Sequence, residues 1–128
     1  MAVTYDLEIM DGYGLVAAQG IIEGLDELGE YVRLMLDDVY QRGLERVLVD
    51  HRHLAGGFDI SQKPEFALRI MELAASVRGS RWAVVTSPER RDFLYFFETV
   101  ARNRGFMVLA FDTPEEAETW LLGDLPAS

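Results

Sequence analysis

Two histidines and an arginine stand directly after a short apolar run, in the segment Asp50-His51-Arg52-His53. Alternate residues of a strand point to one face, so His51 and His53 would share a face if the strand continued through them. Imidazole is a common metal ligand, and Asp59 or Asp50 could supply a third group. One hypothesis is therefore a metal-binding protein or metal-dependent enzyme. Because His-x-His alone is a weak motif, structural or solvent-facing histidines remain the alternative.

A second pair of basic residues, Arg90 and Arg91, stands early in a predicted helix that follows a buried strand. If the strands before both groups are parallel, the groups lie together at the carboxyl edge of the sheet, where open α/β folds bind ligands. The sequence thus predicts a site for an anionic ligand. Its candidate residues are His51, Arg52, His53, Asp59, Arg90 and Arg91. The alternative is two solvated arginines paired with Asp92 or Glu89.

Five large apolar residues follow one another in this helix: Phe93, Leu94, Tyr95, Phe96 and Phe97. At 100° per residue they go round the whole helix, so one core-facing stripe cannot bury them all. A homodimer interface or an apolar ligand pocket would cover the remainder, and neighbouring helices are the third explanation. Tyr95 is predicted to face outward, because its hydroxyl can reach water at an interface rim.

Several signatures of catalysis are missing. The chain has no cysteine, no Gly-x-Ser-x-Gly and no Gly-x-Gly-x-x-Gly, and no Gly-Lys-Ser/Thr follows Gly56-Gly57. We therefore predict a non-enzymatic binding or regulatory module without a cofactor. It is expected to recognise a protein partner or a small anionic or amphipathic ligand.

The elements that position these residues begin with two strands. Apolar residues alternate with polar ones from Val3 to Ile9, and a second apolar run follows from Leu15 to Ile21. Asp11-Gly12 between them is a turn signal, so the pattern predicts a β-hairpin.

Helices and strands then alternate. The apolar runs 46–50, 82–86 and 106–111 each follow an amphipathic helical pattern and predict three neighbouring parallel strands. Thr113-Pro-Glu-Glu116 predicts the capped start of a last helix. The expected fold is α/β, in the order ββαβαβαβα, as one domain over residues 1–128.

Charge limits the partners. The net charge is −10, which disfavours nucleic acid, because binding to phosphates rests on clustered Lys and Arg. No run of 18 apolar residues and no signal-peptide pattern is present, so we expect a cytoplasmic chain without a membrane span. Residues 46–111 carry ten bases and seven acids between acidic flanks. This distribution could attract an anionic ligand, and the alternative is that the exposed helix faces differ in charge.

Four segments carry a resemblance to a known family: Val47–Arg52, Ala83–Pro88, Glu98–Gly105 and Phe111–Leu121. With the element order, they resemble the SpoIIAA-like family of bacterial STAS-fold domains. The most specific parts are the acid-Ala-x-x-Trp-Leu helix and the Asn-Arg-Gly helix end. Neither is a chemical motif, so the resemblance implies a fold more than an activity.

The resemblance also implies two further alternatives. Anti-sigma-factor antagonists of this fold are switched by phosphorylation of a Ser or Thr directly after an Asp. Here Ile60 follows Asp59 and Ser61 comes one residue late, so we predict that Ser61 is not a physiological phosphosite. The fold is also similar to lipid-transfer folds, which makes a lipid-binding carrier the other alternative.

Overall fold

The computed structural model describes residues 3–56 and 64–123, except the side chains of residues 64, 89 and 93. Five strands form one sheet in the spatial order β1-β2-β3-β4-β5. The strands are β1 Thr4–Ile9, β2 Gly14–Ile22, β3 Arg46–Gly56, β4 Arg81–Val85 and β5 Met107–Phe111. The helices are α1 Leu25–Gln41, α2 Pro64–Leu73, α3 Arg91–Arg102 and α4 Pro114–Gly123. Short 3₁₀ turns, Ala74–Val77 and Pro88–Arg90, extend α2 and precede α3.

The predicted hairpin is confirmed. β1 and β2 are antiparallel, with Ile9 opposite Gly14. In the turn, Met10 N–H donates to the Tyr13 carbonyl at 2.8 Å, and Gly12 has a φ of 92°. That angle lies in the left-handed region, which explains the Asp-Gly signal.

The three predicted parallel strands are also confirmed as neighbours. β2 pairs in parallel with β3, β3 with β4 and β4 with β5. The strand order advances in one direction across the sheet. Because parallel crossovers are right-handed, α1, α2 and α3 must all cover the same face. α4 follows the last strand, has no crossover to make, and covers the opposite face.

The two faces carry separate cores of unequal size. On the three-helix face, β-strand residues such as Val16, Val49 and Val84 pack with buried residues of α1, α2 and α3. On the α4 face, a smaller cluster joins Leu48, Ala83 and Val85 to Ala117 and Leu121. The larger core is the layer in which helices and sheet can enclose a pocket.

β3 is longer than the apolar run 46–50 predicts, and it contains a bulge. Ala17 is opposite Asp50, but Gln19 is opposite His53, so β3 has one residue more than β2 between these pairs. The prediction that the strand stops at Asp50 is therefore wrong. Of the two strands beside β3, β2 is longer than β4, and its backbone keeps pairing with β3 as far as Gly56. An extra residue of this kind breaks the alternation of faces.

Candidate functional site

A pocket of about 130 Å³ lies between the sheet and the three helices. Its walls are almost wholly apolar and come from strands β2 to β5 and from α1, α2 and α3. Among the lining residues are Val32, Met35, Phe66, Met71, Trp82 and Phe106. The polar side chains in the lining are His51, Thr86 and Arg90. Few polar groups in an apolar pocket are typical of small-molecule sites, where the polar groups fix the ligand's orientation.

His51 lies in this pocket on the same face of β3 as Val49, and the β3 bulge turns His53 away from that face. His51 and Leu54, three residues apart, both line the pocket, while His53 is exposed and does not. The Tyr31 hydroxyl of α1 lies 2.8 Å from His51 Nε2. Burial and, after it, the charge of Arg90 lower the pKa of His51 to about 4, although the charge of Asp50 opposes them. The imidazole is therefore neutral at pH 7.

Arg90 is held beside His51 by the end of β3. Its guanidinium donates to the carbonyls of Leu54 and Gly56, both at 2.9 Å. Gly56 has a φ of 91°, and a Cβ there would lie 2.3 Å from the Ile22 carbonyl oxygen, so the chain needs glycine at this point. Among the carboxylates whose side chains the structure describes, none lies within ion-pair distance of Arg90. The positive charge is positioned but not neutralised by a described side chain.

Thr86 supplies the third polar group, at the carboxyl end of β4. It is only 4% exposed, and among the described residues its hydroxyl oxygen has no hydrogen-bond partner. Its backbone N–H donates to the Phe111 carbonyl at 3.2 Å, which fixes the residue against β5. Buried hydroxyls are nearly always bonded, so an unpaired one in a pocket wall indicates a place for a ligand atom or a water.

Three other predicted site residues, Arg52, His53 and Arg91, are not part of this pocket. Arg52 pairs with Asp50 at 2.8 Å and interacts electrostatically with Glu115 of α4, so it belongs to the α4 face. Burial would raise the pKa of Asp50, but the hydrogen bonds from Arg52 outweigh burial and lower it. Arg91 pairs with Asp112 and is also outside the pocket.

The metal hypothesis rests on His51, His53 and Asp59. The bulge separates the two histidines in the way described above, although the strand does continue through both. In the parts of the chain that the structure describes, no three His, Asp or Glu residues cluster closely enough to hold a metal ion. Asp59 and Ser61 lie outside those residues.

The aromatic run of α3 is divided between two environments. Leu94 and Phe97 line the pocket. Tyr95 and Phe96 are 52% and 40% exposed, and the side chain of Phe93 lies outside the description. The helix thus contributes one side to the pocket and another to the surface.

Two residues of the site, Tyr31 and Thr86, are absent from the sequence-based prediction. Tyr31 has the spacing of a core residue of α1, and nothing local distinguishes it from one. Thr86 did carry a signal, because it is a polar residue at the carboxyl end of a buried strand. The same position in the sheet was the reason to predict His51 and Arg90 as site residues.

No family model and no curated protein matches this chain. Solved structures do. An anti-sigma-factor antagonist from Mycobacterium paratuberculosis has a TM-score of 0.64 at 15% identity, over 94% of each chain. The unphosphorylated form of the anti-sigma-factor antagonist SpoIIAA has a TM-score of 0.55 at 18% identity, over 94% of this chain and 99% of that one.

An uncharacterised protein with a SpoIIAA-like fold from Shewanella loihica has a TM-score of 0.54 at 17% identity, over 94% of each chain. The chain therefore has the SpoIIAA-like fold of STAS domains, as the sequence resemblance predicts. At these identities the likeness concerns the fold. Within the described residues, no helix is both long and apolar enough to span a membrane.

Proposed function

We propose that this chain is a non-enzymatic binding module whose pocket takes a small amphipathic ligand. The observation that supports the proposal is the pocket itself, in which apolar walls surround three polar side chains from different elements. An apolar group would occupy the interior, and a polar end would meet Arg90 and Thr86. Burying such a group recovers roughly 25 cal/mol for each Å² of apolar surface removed from water.

The chemistry of the polar residues favours binding over catalysis. A general base works best when its pKa is near the operating pH. His51 has a pKa of about 4 and lies in hydrogen-bond contact with Tyr31, so it is a weak base at pH 7. Arg90 is bonded to two backbone carbonyls and acts as a fixed charge.

Filling the pocket tests the proposal. Ala74 lines the pocket and is buried, so Ala74→Leu would place three more carbon atoms in or beside the space. Ligand-observed NMR with a panel of small aromatic acids, amides and amines should detect compounds that bind the parent protein and lose affinity for Ala74→Leu at least tenfold. Circular dichroism checks that the variant is folded. The proposal is wrong if no compound distinguishes the two proteins.

A second proposal concerns a protein partner. Anti-sigma-factor antagonists share the fold, and α3 exposes Tyr95 and Phe96 side by side. Exposed aromatic pairs of this kind are enriched at protein interfaces. We propose that this surface of α3 forms a homodimer interface, which leaves the pocket on another side of the same helix free for its ligand.

A further inference from the structure

Building on the proposed pocket function, we infer that the ligand is a monocarboxylic acid with an apolar body of about six to eight carbon atoms, its carboxylate bound by Arg90 and Thr86. Three properties of the pocket lead to this class: its volume, its charge and its unpaired hydroxyl.

The volume limits the apolar body. A dry protein cavity of about 150 Å³ is known to take benzene, and pockets for drug-sized ligands measure about 300–1,000 Å³. The pocket here measures about 130 Å³. A phenyl or short branched group fits this space, whereas a long acyl chain of about sixteen carbons requires several times more. The volume therefore favours a small organic acid over a membrane lipid.

The charge selects a monoanion. Arg90 is the one cation in the described lining, and the neighbouring His51 is neutral. Three of the five N–H donors of Arg90 are used by the Leu54 and Gly56 carbonyls and the Ser87 hydroxyl, so two remain for a ligand. The planar guanidinium matches the two oxygens of a carboxylate. A phosphate dianion would leave one charge uncompensated in an apolar site.

The hydroxyl of Thr86 provides a second donor. It is buried, has no hydrogen-bond partner in the part of the chain that the structure describes, and belongs to the same lining as Arg90. A carboxylate oxygen beside it would accept its hydrogen bond, and an unpaired buried hydroxyl would become a paired one. Arg90 comes from the turn before α3 and Thr86 from the end of β4, so two elements hold the same group.

The test is isothermal titration calorimetry of the full chain at pH 7.5 with matched probes. Phenylacetate is the expected ligand class, phenylacetamide removes its charge, phenylphosphonate adds charge, and palmitate lengthens the apolar body. We expect phenylacetate to bind at least tenfold more tightly than each of the other three. Arg90→Gln should weaken phenylacetate binding at least tenfold and Thr86→Val about fivefold, while the surface variant Arg33→Gln should leave it unchanged.

The outcomes separate the two proposals. Equal or tighter binding of the amide, the phosphonate or palmitate overturns the inferred ligand class, while the pocket function stands. If no compound binds the parent protein and loses affinity for Ala74→Leu, the pocket function and the ligand class are both overturned. If Arg90→Gln does not fold, the probe series on the unaltered chain and the nearly isosteric Thr86→Val still decide the matter.

Discussion

His53 shows how one residue of backbone register changes the environment of a side chain. Without the β3 bulge, the alternation of strand faces would continue and His51 and His53 would lie side by side. With the bulge, His51 lies against Tyr31 in the pocket and His53 stays exposed. The two histidines of the chain therefore have different environments, and each serves as a control for the other.

Acid should weaken the fold through His51. Its folded-state pKa is about 4, whereas the ordinary histidine value is 6.5. Between these values the unfolded chain binds one proton more than the folded chain, so the free energy of unfolding falls as the pH falls from 6.5 to 4. The full effect is about 3 kcal/mol, and the group has no such effect above pH 6.5.

Urea unfolding at pH 4.5, 5.5 and 7.0 measures this effect. His51→Gln should lose less stability than the parent protein on going from pH 7.0 to 4.5, although it starts lower. His53→Gln should follow the parent protein at every pH. A parent-like pH dependence in His51→Gln would show that other groups cause the acid sensitivity.

At the scale of elements, Glu98 joins α3 to the edge strand β5. The carboxylate is buried and accepts the Ala110 backbone N–H at 2.6 Å. Arg102, one turn further along α3, donates to the same carboxylate at 3.4 Å. Since α3 contributes Leu94 and Phe97 to the pocket wall, this contact also fixes the wall.

Removing the Glu98 carboxylate should destabilise the chain. In Glu98→Ala, the Ala110 N–H loses a charged acceptor, which costs about 2 kcal/mol. Glu98→Gln keeps an oxygen at a similar position and should lose less than half as much. Chemical denaturation at pH 7 measures both. Equal losses in the two variants would contradict a role for the hydrogen bond and indicate packing of the side chain instead.

The elements could be predicted because their signals are local. Asp11-Gly12 gives the hairpin and Thr113 gives a cap, which the structure confirms through the Thr113 hydroxyl and the Glu116 N–H at 3.2 Å. The end of β3 could not be predicted, since His51, Arg52 and His53 are polar and the strand continues past them only because β2 extends beside it. His51 and Arg90 could be predicted as site residues because the carboxyl ends of parallel strands meet at one edge of the sheet. The contact between Tyr31 and His51 could not, because it depends on how α1 lies over the sheet.

At the scale of the whole molecule, three helices cover one face of the sheet and α4 covers the other. The proposed dimer interface is the outer surface of α3, on the three-helix side. Tyr95→Glu would place two like charges close together across a two-fold interface, because the same surface meets itself there. We expect this change to lower the mass measured by light scattering from dimer to monomer at about 100 μM, where a micromolar interface would be well populated.

Two comparisons make the dimer experiment decisive. Tyr40→Glu changes a similarly exposed tyrosine, 54% accessible on α1, and should leave the mass unchanged. Circular dichroism should show both variants folded. A monomeric parent protein at 100 μM would contradict the dimer and leave Tyr95 and Phe96 as an ordinary exposed part of α3.

The sequential order of the strands also affects how the chain can assemble during synthesis. Each strand pairs with the one that precedes it in the sequence, so no strand must insert between two others. At roughly 5–20 residues per second, the ribosome delivers the segment from β1 to β5 within on the order of ten seconds. The incomplete sheet therefore always grows at one edge. Each newly formed edge strand stays unpaired for only a few seconds before the next strand is synthesised. The hairpin of β1 and β2, which emerges before the other three strands, can act as the template on which they are added in turn.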